Sequence, residues 1–390
     1  MSSDPPPSSA SLGGAAPLEL RKVVKWYPKT SRPAIEKLSL SVPAGEVCVL
    51  VGPSGCGKTT AMRLVNRMID LTSGSILIDG SDIATRDPAD LRREIGYVIQ
   101  QVGLFPHLSI SHNITMVPRL LGWERKRVAA RAEELLDLVG LPQEMAGRFP
   151  SQLSGGQRQR VGVARALAAD PPLMLMDEPF GAIDPINRDR LQNEFLRLQS
   201  EMRKTVVFVT HDIDEAIKMG DRIAIMREGG ELVQYDTPDQ ILAGPADEFV
   251  AQFVGADRGL KRLALTTLGE IELQAVHVVR DGDSVGPATW EGGNRVVFMD
   301  AAGRAVGELT PDRVSEGRVR AADAGALAHT VPTTATLRDA LSQMMADSLR
   351  PLLVVDPAGQ IAGSVSIDLI NESLRRGRQG DAAERTTVAG

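Results

Sequence analysis

Three short runs carry residue types able to act on a phosphorylated compound. The first is Gly52-Pro53-Ser54-Gly55-Cys56-Gly57-Lys58-Thr59, followed by Thr60. It matches the phosphate-binding loop pattern G-x-x-x-x-G-K-[ST]. Small residues let successive backbone N–H groups turn inward around a β-phosphate, and a helix behind them adds its positive end. Lys58 supplies a full charge to the β- and γ-phosphates, and the Thr59 hydroxyl is suited to ligate Mg2+. The second run, Leu173-Met-Leu-Met-Asp177-Glu178, is an apolar strand ending in two carboxylates. Asp177 is suited to hold Mg2+ through water, and Glu178 to orient or deprotonate an attacking water. That pairing favours hydrolysis over transfer to a substrate hydroxyl. The third run, Leu153-Ser154-Gly155-Gly156-Gln157, opens a helix-like stretch from Arg158 to Ala169 and forms a second anion-receptive helix start. One nucleotide has no evident need for two such sites from one chain. A dimer does, each signature run closing over the nucleotide held by its partner.

The elements that must position these runs are legible as a pattern. Leu38 to Val42 alternates, Pro43-Ala-Gly45 turns, and Val47 to Val51 reads as a buried parallel strand ahead of the glycine-rich loop. Thr59 to Met68 has helical spacing. Trp123 to Val139 reads as an amphipathic helix with Val128, Ala132, Leu135, Leu136 and Val139 on one face. Leu173 to Met176 and Val206 to Val209 are further buried strands. Strands alternating with helices imply an α/β unit with a mainly parallel sheet, closing near Phe253.

The remaining third is built differently. Residues 296–314 and 352–370 align without a gap at a spacing of 56 residues. Both carry Asp-x-Ala-Gly in a turn (Asp300, Asp356), a second glycine (Gly307, Gly363) and a later aspartate (Asp312, Asp368). Each reads as strand, tight turn, strand, helix start, an internal duplication. Thr330 to Ala346, ahead of the second copy, reads as helical.

Composition narrows the function classes. The chain has 390 residues, 43% hydrophobic and 24% charged, ordinary globular values that predict two or three domains. A net charge of -6 argues against a nucleic-acid partner. Two cysteines, Cys48 and Cys56, are too few for a disulfide framework. No stretch reaches the roughly 18 to 20 apolar residues needed to cross a bilayer. Residues 1–17, rich in Pro, Ser, Gly and Ala, are expected to be a disordered leader, and 379–390 a flexible tail.

Taken in order, residues 52–59, 153–157, Met176-Asp-Glu-Pro179 and Thr210-His211-Asp212 resemble the ATP-binding subunits of ABC transporters. The resemblance implies a P-loop NTPase fold over 18–255: a mainly parallel sheet core, an antiparallel β subdomain and a helical subdomain. It implies ATP and Mg2+ as cofactors, Glu178 as catalytic base, and His211 as the switch contacting the γ-phosphate. Tyr27, with Trp26 beside it, would stack on adenine. Gln100, preferred to Gln101 by its spacing to Leu104-Phe-Pro-His107, would watch γ-phosphate and Mg2+. Asp184 would cross the dimer interface. Taken alone, His211 reads equally as a solvated loop histidine and Tyr27 as an ordinary aromatic.

The runs 95–107, 176–182, 167–172 and Pro245-Ala-Asp-Glu-Phe-Val250 further resemble the glycine betaine/carnitine/choline/proline importers. A cassette for polyamine, methionine or sugar is the alternative, followed by an ABC ATPase that works without a membrane partner, although this chain has one cassette and no heptad run. The duplicated part resembles paired CBS domains, an α+β regulatory module, with a degenerate unit at 256–318 and a second at 319–378. The implied partners are a second copy of the chain, transmembrane permease subunits and an extracytoplasmic substrate-binding protein. The permease would dock on the surface that includes Phe105 to His112. An adenine nucleotide or a cyclic dinucleotide would occupy the CBS-like pair. The protein is expected on the cytoplasmic face of the inner membrane. Arg258, Lys261, Arg262, Arg375, Arg376 and Arg378 offer scattered positive charge for anionic lipid.

Overall fold

The computed structural model describes residues 14–99, 103–181, 183–286, 296–301, 305–310, 312–314, 318–325, 327 and 330–373. It divides into two compact units, Met1–Ile241 with Pro245–Phe253, and Leu242–Gly244 with Val254–Gly390.

In the first unit, β1 (Leu18–Lys25), β2 (Ile35–Val42), β4 (Ser73–Ile78) and β5 (Ser81–Asp82) form an antiparallel sheet in the order β2-β1-β4-β5. A second sheet holds β3 (Val47–Val51), β6 (Ile95–Val98), β7 (Leu173–Asp177), β8 (Thr205–Val209), β9 (Arg222–Arg227) and β10 (Glu231–Asp236). Its order is β10-β9-β3-β8-β7-β6, with every pairing parallel except that of β10 with β9. The strands β3 and β8 are buried at every position, which explains their continuous apolar composition: both faces are covered. Leu18, Val23 and Ile76 of the antiparallel sheet share one core with Leu50, Leu175 and Val207 of the parallel sheet. The helix Lys58–Val65 adds Ala61, Met62 and Leu64 to it. Helices Ile110–Ile114, Met116–Leu120, Arg125–Leu138 and Gly155–Leu167 form the helical subdomain. Val128, Ala132, Leu135 and Leu136 are its buried stripe, as the periodicity predicts.

One expectation is corrected at the start of the chain. Residues 16 and 17 are not a free leader: Ala16 is buried, its N–H donates to the Pro172 carbonyl at 3.2 Å, and the Pro17 carbonyl accepts from Asp79. Residues 1–13 and 374–390 lie outside the described residues. Cys48 and Cys56 are free and buried.

The second unit repeats one plan. Strands β11 (His277–Val279), β12 (Val296–Met299) and β13 (Ala305–Leu309) form one sheet. Strands β14 (Thr330–Pro332), β15 (Leu352–Val355) and β16 (Ile361–Val365) form another. In each, the first pair is parallel and the second antiparallel. Phe298 opposes Gly307 as Val354 opposes Gly363. Their cores share a common set: Val279, Val285, Val296, Phe298, Leu309 and Val319 in one correspond to Val331, Leu337, Leu352, Val354, Val365 and Leu268 in the other, which adds Leu263, Ala340, Met344 and Ile370.

That correspondence extends beyond the aligned segments and moves the expected boundary at 318/319. Val319 belongs to the core of the first sheet, and Gly325 bridges to Glu308. Leu268 belongs to the core of the second sheet, and Gln274 bridges to Ser364. Thr330 to Ala346 is also not one helix. Thr330–Pro332 is a strand, and the helix Leu337–Ala346 begins only after Thr336, whose hydroxyl accepts from the Asp339 N–H as an N-cap. Two of the cations proposed for lipid are engaged otherwise. Arg262 is buried, and Lys261 pairs with Asp257 and donates to the Val254 carbonyl.

Phe208 in β8 has no exposed surface and lies 5.8 Å from the Phe180 ring. Phe208→Ala should lower the unfolding free energy in urea by about 3–5 kcal/mol. Phe208→Leu, which keeps most of the volume, should cost markedly less.

Candidate active site

Parallel pairing brings two of the chemical runs, and the Thr210-His211 turn with them, to one edge. The glycine-rich loop follows β3, Thr210-His211 follows β8, and Asp177-Glu178 ends β7. These are adjacent strands in the order β3-β8-β7, so all three runs leave the sheet at its carboxyl edge. β6, which leads to Gln100, is the next strand; Gln100 itself lies outside the described residues.

The loop demands glycine where the backbone is crowded. A β-carbon at Gly52 would collide with the Met226 carbonyl oxygen, and one at Gly57 would come within 2.8 Å of the Ala34 carbonyl. Both also have positive φ, at 154° and 110°. Pro53, Ser54, Gly55 and Cys56 complete the turn between them, and Ser54 and Gly55 line an open depression of about 510 Å³ with Arg32, Glu36 and Glu228. Lys58 is buried, and its ammonium donates to the carbonyls of Gly52 at 2.6 Å and Pro53 at 3.0 Å. Its charge is therefore held inside the loop. Thr60 lies in the first turn of the helix behind it.

The Thr59 hydroxyl donates to Asp177 Oδ1 at 3.2 Å. A hydroxyl and a carboxylate oxygen side by side are a hard-oxygen donor set that fits Mg2+ with water completing the octahedron. Burial pushes the Asp177 carboxyl above its ordinary value, and the neighbouring Glu178 charge adds to this; Thr59, Arg63 and Lys58 oppose it. Glu178 has φ 45°, a left-handed conformation that costs a non-glycine residue about 1–3 kcal/mol. Its N–H donates to the Val209 carbonyl at 3.0 Å, and its Oε1 lies 3.2 Å from His211 Nδ1. The distortion turns the second carboxylate of the run toward the histidine instead of along the strand. The Glu178 side chain is 24% exposed and that of His211 60% exposed, so both reach the open side of the sheet edge.

The signature run is a well-formed helix start on the surface. The Ser154 hydroxyl accepts from the Gln157 N–H at 3.3 Å, and Gln157 Oε1 accepts from the Ser154 N–H at 2.9 Å. This capping box opens the 13-residue helix Gly155–Leu167. Ser154 and Gly155 are exposed and Gly156 half-buried, an arrangement able to receive an anion from outside the chain. Asp184 is exposed; its carbonyl accepts from the Arg188 N–H at 2.9 Å. Tyr27 is half-buried with the Lys25 ammonium 5.0 Å from its ring centre. Trp26 is 46% exposed and its indole N–H donates to the Thr30 carbonyl.

Some functional geometry has no motif behind it. Asn113, fully buried, accepts from the Phe105 N–H at 2.7 Å and donates to the carbonyls of Phe105, Leu108 and Ser109. One side chain thereby shapes the loop 105–109. That loop borders a groove of about 290 Å³ lined by Met68, Tyr97, Phe105, Met116, Val117 and Arg165 among others. A lone asparagine between apolar helix positions was the available signal.

Residues 35–181 match the family model described as ABC transporter. The chain is 45% identical to the osmoprotectant import ATP-binding protein OsmV of Salmonella typhimurium, over 88% of this chain and 92% of that one. It is 42% identical to the glycine betaine/carnitine/choline transport ATP-binding protein OpuCA of Bacillus subtilis, over 92% and 97%. Among solved structures it resembles the dimeric ATP-binding cassette MJ0796 in a post-hydrolysis state bound to ADP and Pi. That likeness has 34% identity and a TM-score of 0.51, covering 57% of this chain and 98% of that one. The chain therefore belongs to the ATP-binding subunits of ABC transporters, and it is an ATPase. Its relatives are the subunits that serve osmoprotectant and glycine betaine, carnitine or choline uptake.

A folded-state carboxyl raised by burial favours folding when protonated and loses that contribution as pH rises through its folded pKa. Asp177→Asn should therefore raise the melting temperature of the nucleotide-free protein at pH 8 by roughly 2–4 °C. The gap should narrow as pH falls through the raised folded pKa of Asp177. ATP turnover by the same variant should fall roughly a hundredfold or more.

Proposed function

We propose that this chain is the ATP-hydrolysing subunit of an importer for quaternary-amine solutes of the glycine betaine, carnitine, choline and proline class. The names of its relatives support the solute class. The observation that carries the mechanism is Glu178 beside His211 at the strand edge that also bears the glycine-rich loop.

Two copies close on two ATP molecules, each held between the glycine-rich loop of one copy and the Ser154–Gln157 start of the other. Lys58 and the loop hold the β- and γ-phosphates, and Tyr27 covers the adenine. Thr59, Asp177 and Gln100 are the residues that would hold Mg2+, which when bound neutralises developing phosphate charge. Glu178 takes a proton from the attacking water, while His211 holds the γ-phosphate and keeps Glu178 oriented. Asp184 reaches across to the opposite site. Contacts to the γ-phosphate from both copies exist only in the closed dimer, so ATP favours closure by differential binding, and hydrolysis lets it reopen.

Among the described residues no helix is long and apolar enough to cross a membrane, so the motion drives separate permease subunits. These dock on the groove beside Phe105, at the cytoplasmic face of the membrane, and a substrate-binding protein delivers solute from outside. The duplicated second unit acts as a CBS-like regulatory pair responding to an adenine nucleotide, a cyclic dinucleotide or ionic strength.

Glu178→Gln keeps the shape of the side chain but removes the base. It should retain ATP binding and elute as a nucleotide-dependent dimer in size-exclusion chromatography, with turnover lost; full turnover would exclude the assignment. In the reconstituted complex, ATPase should rise severalfold with betaine, carnitine, choline or proline. Stimulation by polyamine, methionine or sugar instead would replace the solute class.

A further inference from the structure

The helix that follows His211 and the helix that follows Asp184 are joined by a buried polar bridge that no motif describes. Ile213–Met219 starts directly after Thr210-His211-Asp212, and Pro185–Met202 starts directly after Asp184. Between them Gln192 Nε2 donates to Glu215 Oε1 at 2.9 Å. The Thr210 hydroxyl is a second hydrogen-bond partner of the Glu215 carboxyl, with Arg188 close enough to act on it by charge. Thr210, Gln192 and Glu215 are 1%, 5% and 8% exposed.

Each end of the bridge is fastened to a turn of the site. Thr210 Oγ1 accepts from the Asp212 N–H at 3.1 Å, which frames His211. Arg188, one helical turn from Gln192, donates to the Ile183 carbonyl at 3.1 Å, next to Asp184. A second link, the Lys218–Asp189 ion pair, joins the same two helices nearer the surface. An apolar contact would hold the helices together without fixing their register. A buried carboxylate with two hydrogen bonds has one satisfied position, and displacing it leaves a polar group unpaired at a cost of several-fold in any equilibrium.

We propose that Glu215 is a positioning residue that ties the His211 turn to the Asp184 segment, so that release of the γ-phosphate in one site is transmitted to the other. This rests on the two-site dimer described above. It assigns the coupling to a specific side chain that touches neither nucleotide nor metal.

The test uses the full-length chain and three variants: Gln192→Leu, Glu215→Gln, and the double change Gln192→Leu with Glu215→Leu. Glu215→Gln keeps an amide oxygen that accepts from Gln192 and an amide N–H that the Thr210 hydroxyl oxygen can accept, so it should keep at least half of kcat and the wild-type Hill coefficient for ATP. Gln192→Leu breaks the bridge at one end. The double variant replaces it with an apolar pair that should restore thermal stability. Both should bind ATP within about twofold of wild type, yet lose roughly tenfold in kcat and show a Hill coefficient near 1. Unchanged kcat and cooperativity in Gln192→Leu or the double variant would overturn the proposal, as would an equal loss in Glu215→Gln. Glu178→Gln is run in parallel. If it forms no ATP-dependent dimer and the wild type shows no cooperativity, the dimer reading itself fails; if both hold, a negative result falls on Glu215 alone.

Discussion

Two carboxylates at the end of an apolar strand set the terms for the rest of this site. Asp177 is disfavoured as an anion by burial and by Glu178 beside it, and a triphosphate would add more negative charge to the same edge. Such an arrangement calls for positive charge and hydrogen-bond partners, which the sheet supplies from the neighbouring strands. Lys58 and the helix start lie one way, the Thr59 hydroxyl bonds Asp177 directly, and His211 stands against Glu178. The strained backbone of Glu178 belongs to the same balance. By turning aside, it separates the second carboxylate from the first and faces it toward the histidine.

That balance makes the parallel sheet more than a scaffold. The order β3-β8-β7 sets the histidine turn between the phosphate loop and the carboxylates. Any rearrangement of strand order would separate Lys58 from Asp177 or Glu178 from His211. The unbroken burial of β3 and β8 is what the interior of a sheet covered on both faces requires. The polar bridge through Glu215 extends the same logic one layer outward, to the helices that carry the mobile turns.

The second unit follows another rule. Each three-stranded sheet closes its core with a segment that precedes the other repeat in sequence: Leu268 caps the second, Val319 the first. A three-stranded sheet has little core of its own, and each of these gains an apolar residue from that segment.

Local chemistry was readable from the residues alone. The glycine pattern at 52–57, the helix start at Ser154, the double carboxylate at 177–178 and the duplication at 56-residue spacing all depend on neighbours in sequence, where spacing carries the information. The tertiary structure decided what spacing cannot. It placed Thr59 against Asp177 and Glu178 against His211, across 118 and 33 residues of chain. It turned Thr330–Pro332 into a strand despite the helical pattern after it, because pairing with β15 outweighs local preference. It moved the repeat boundary past Val319, and it gave Gln192 and Glu215 a partner in each other. Both look like ordinary polar helix residues until two helices pack face to face, since burial is a property of the assembled fold and not of any segment of it.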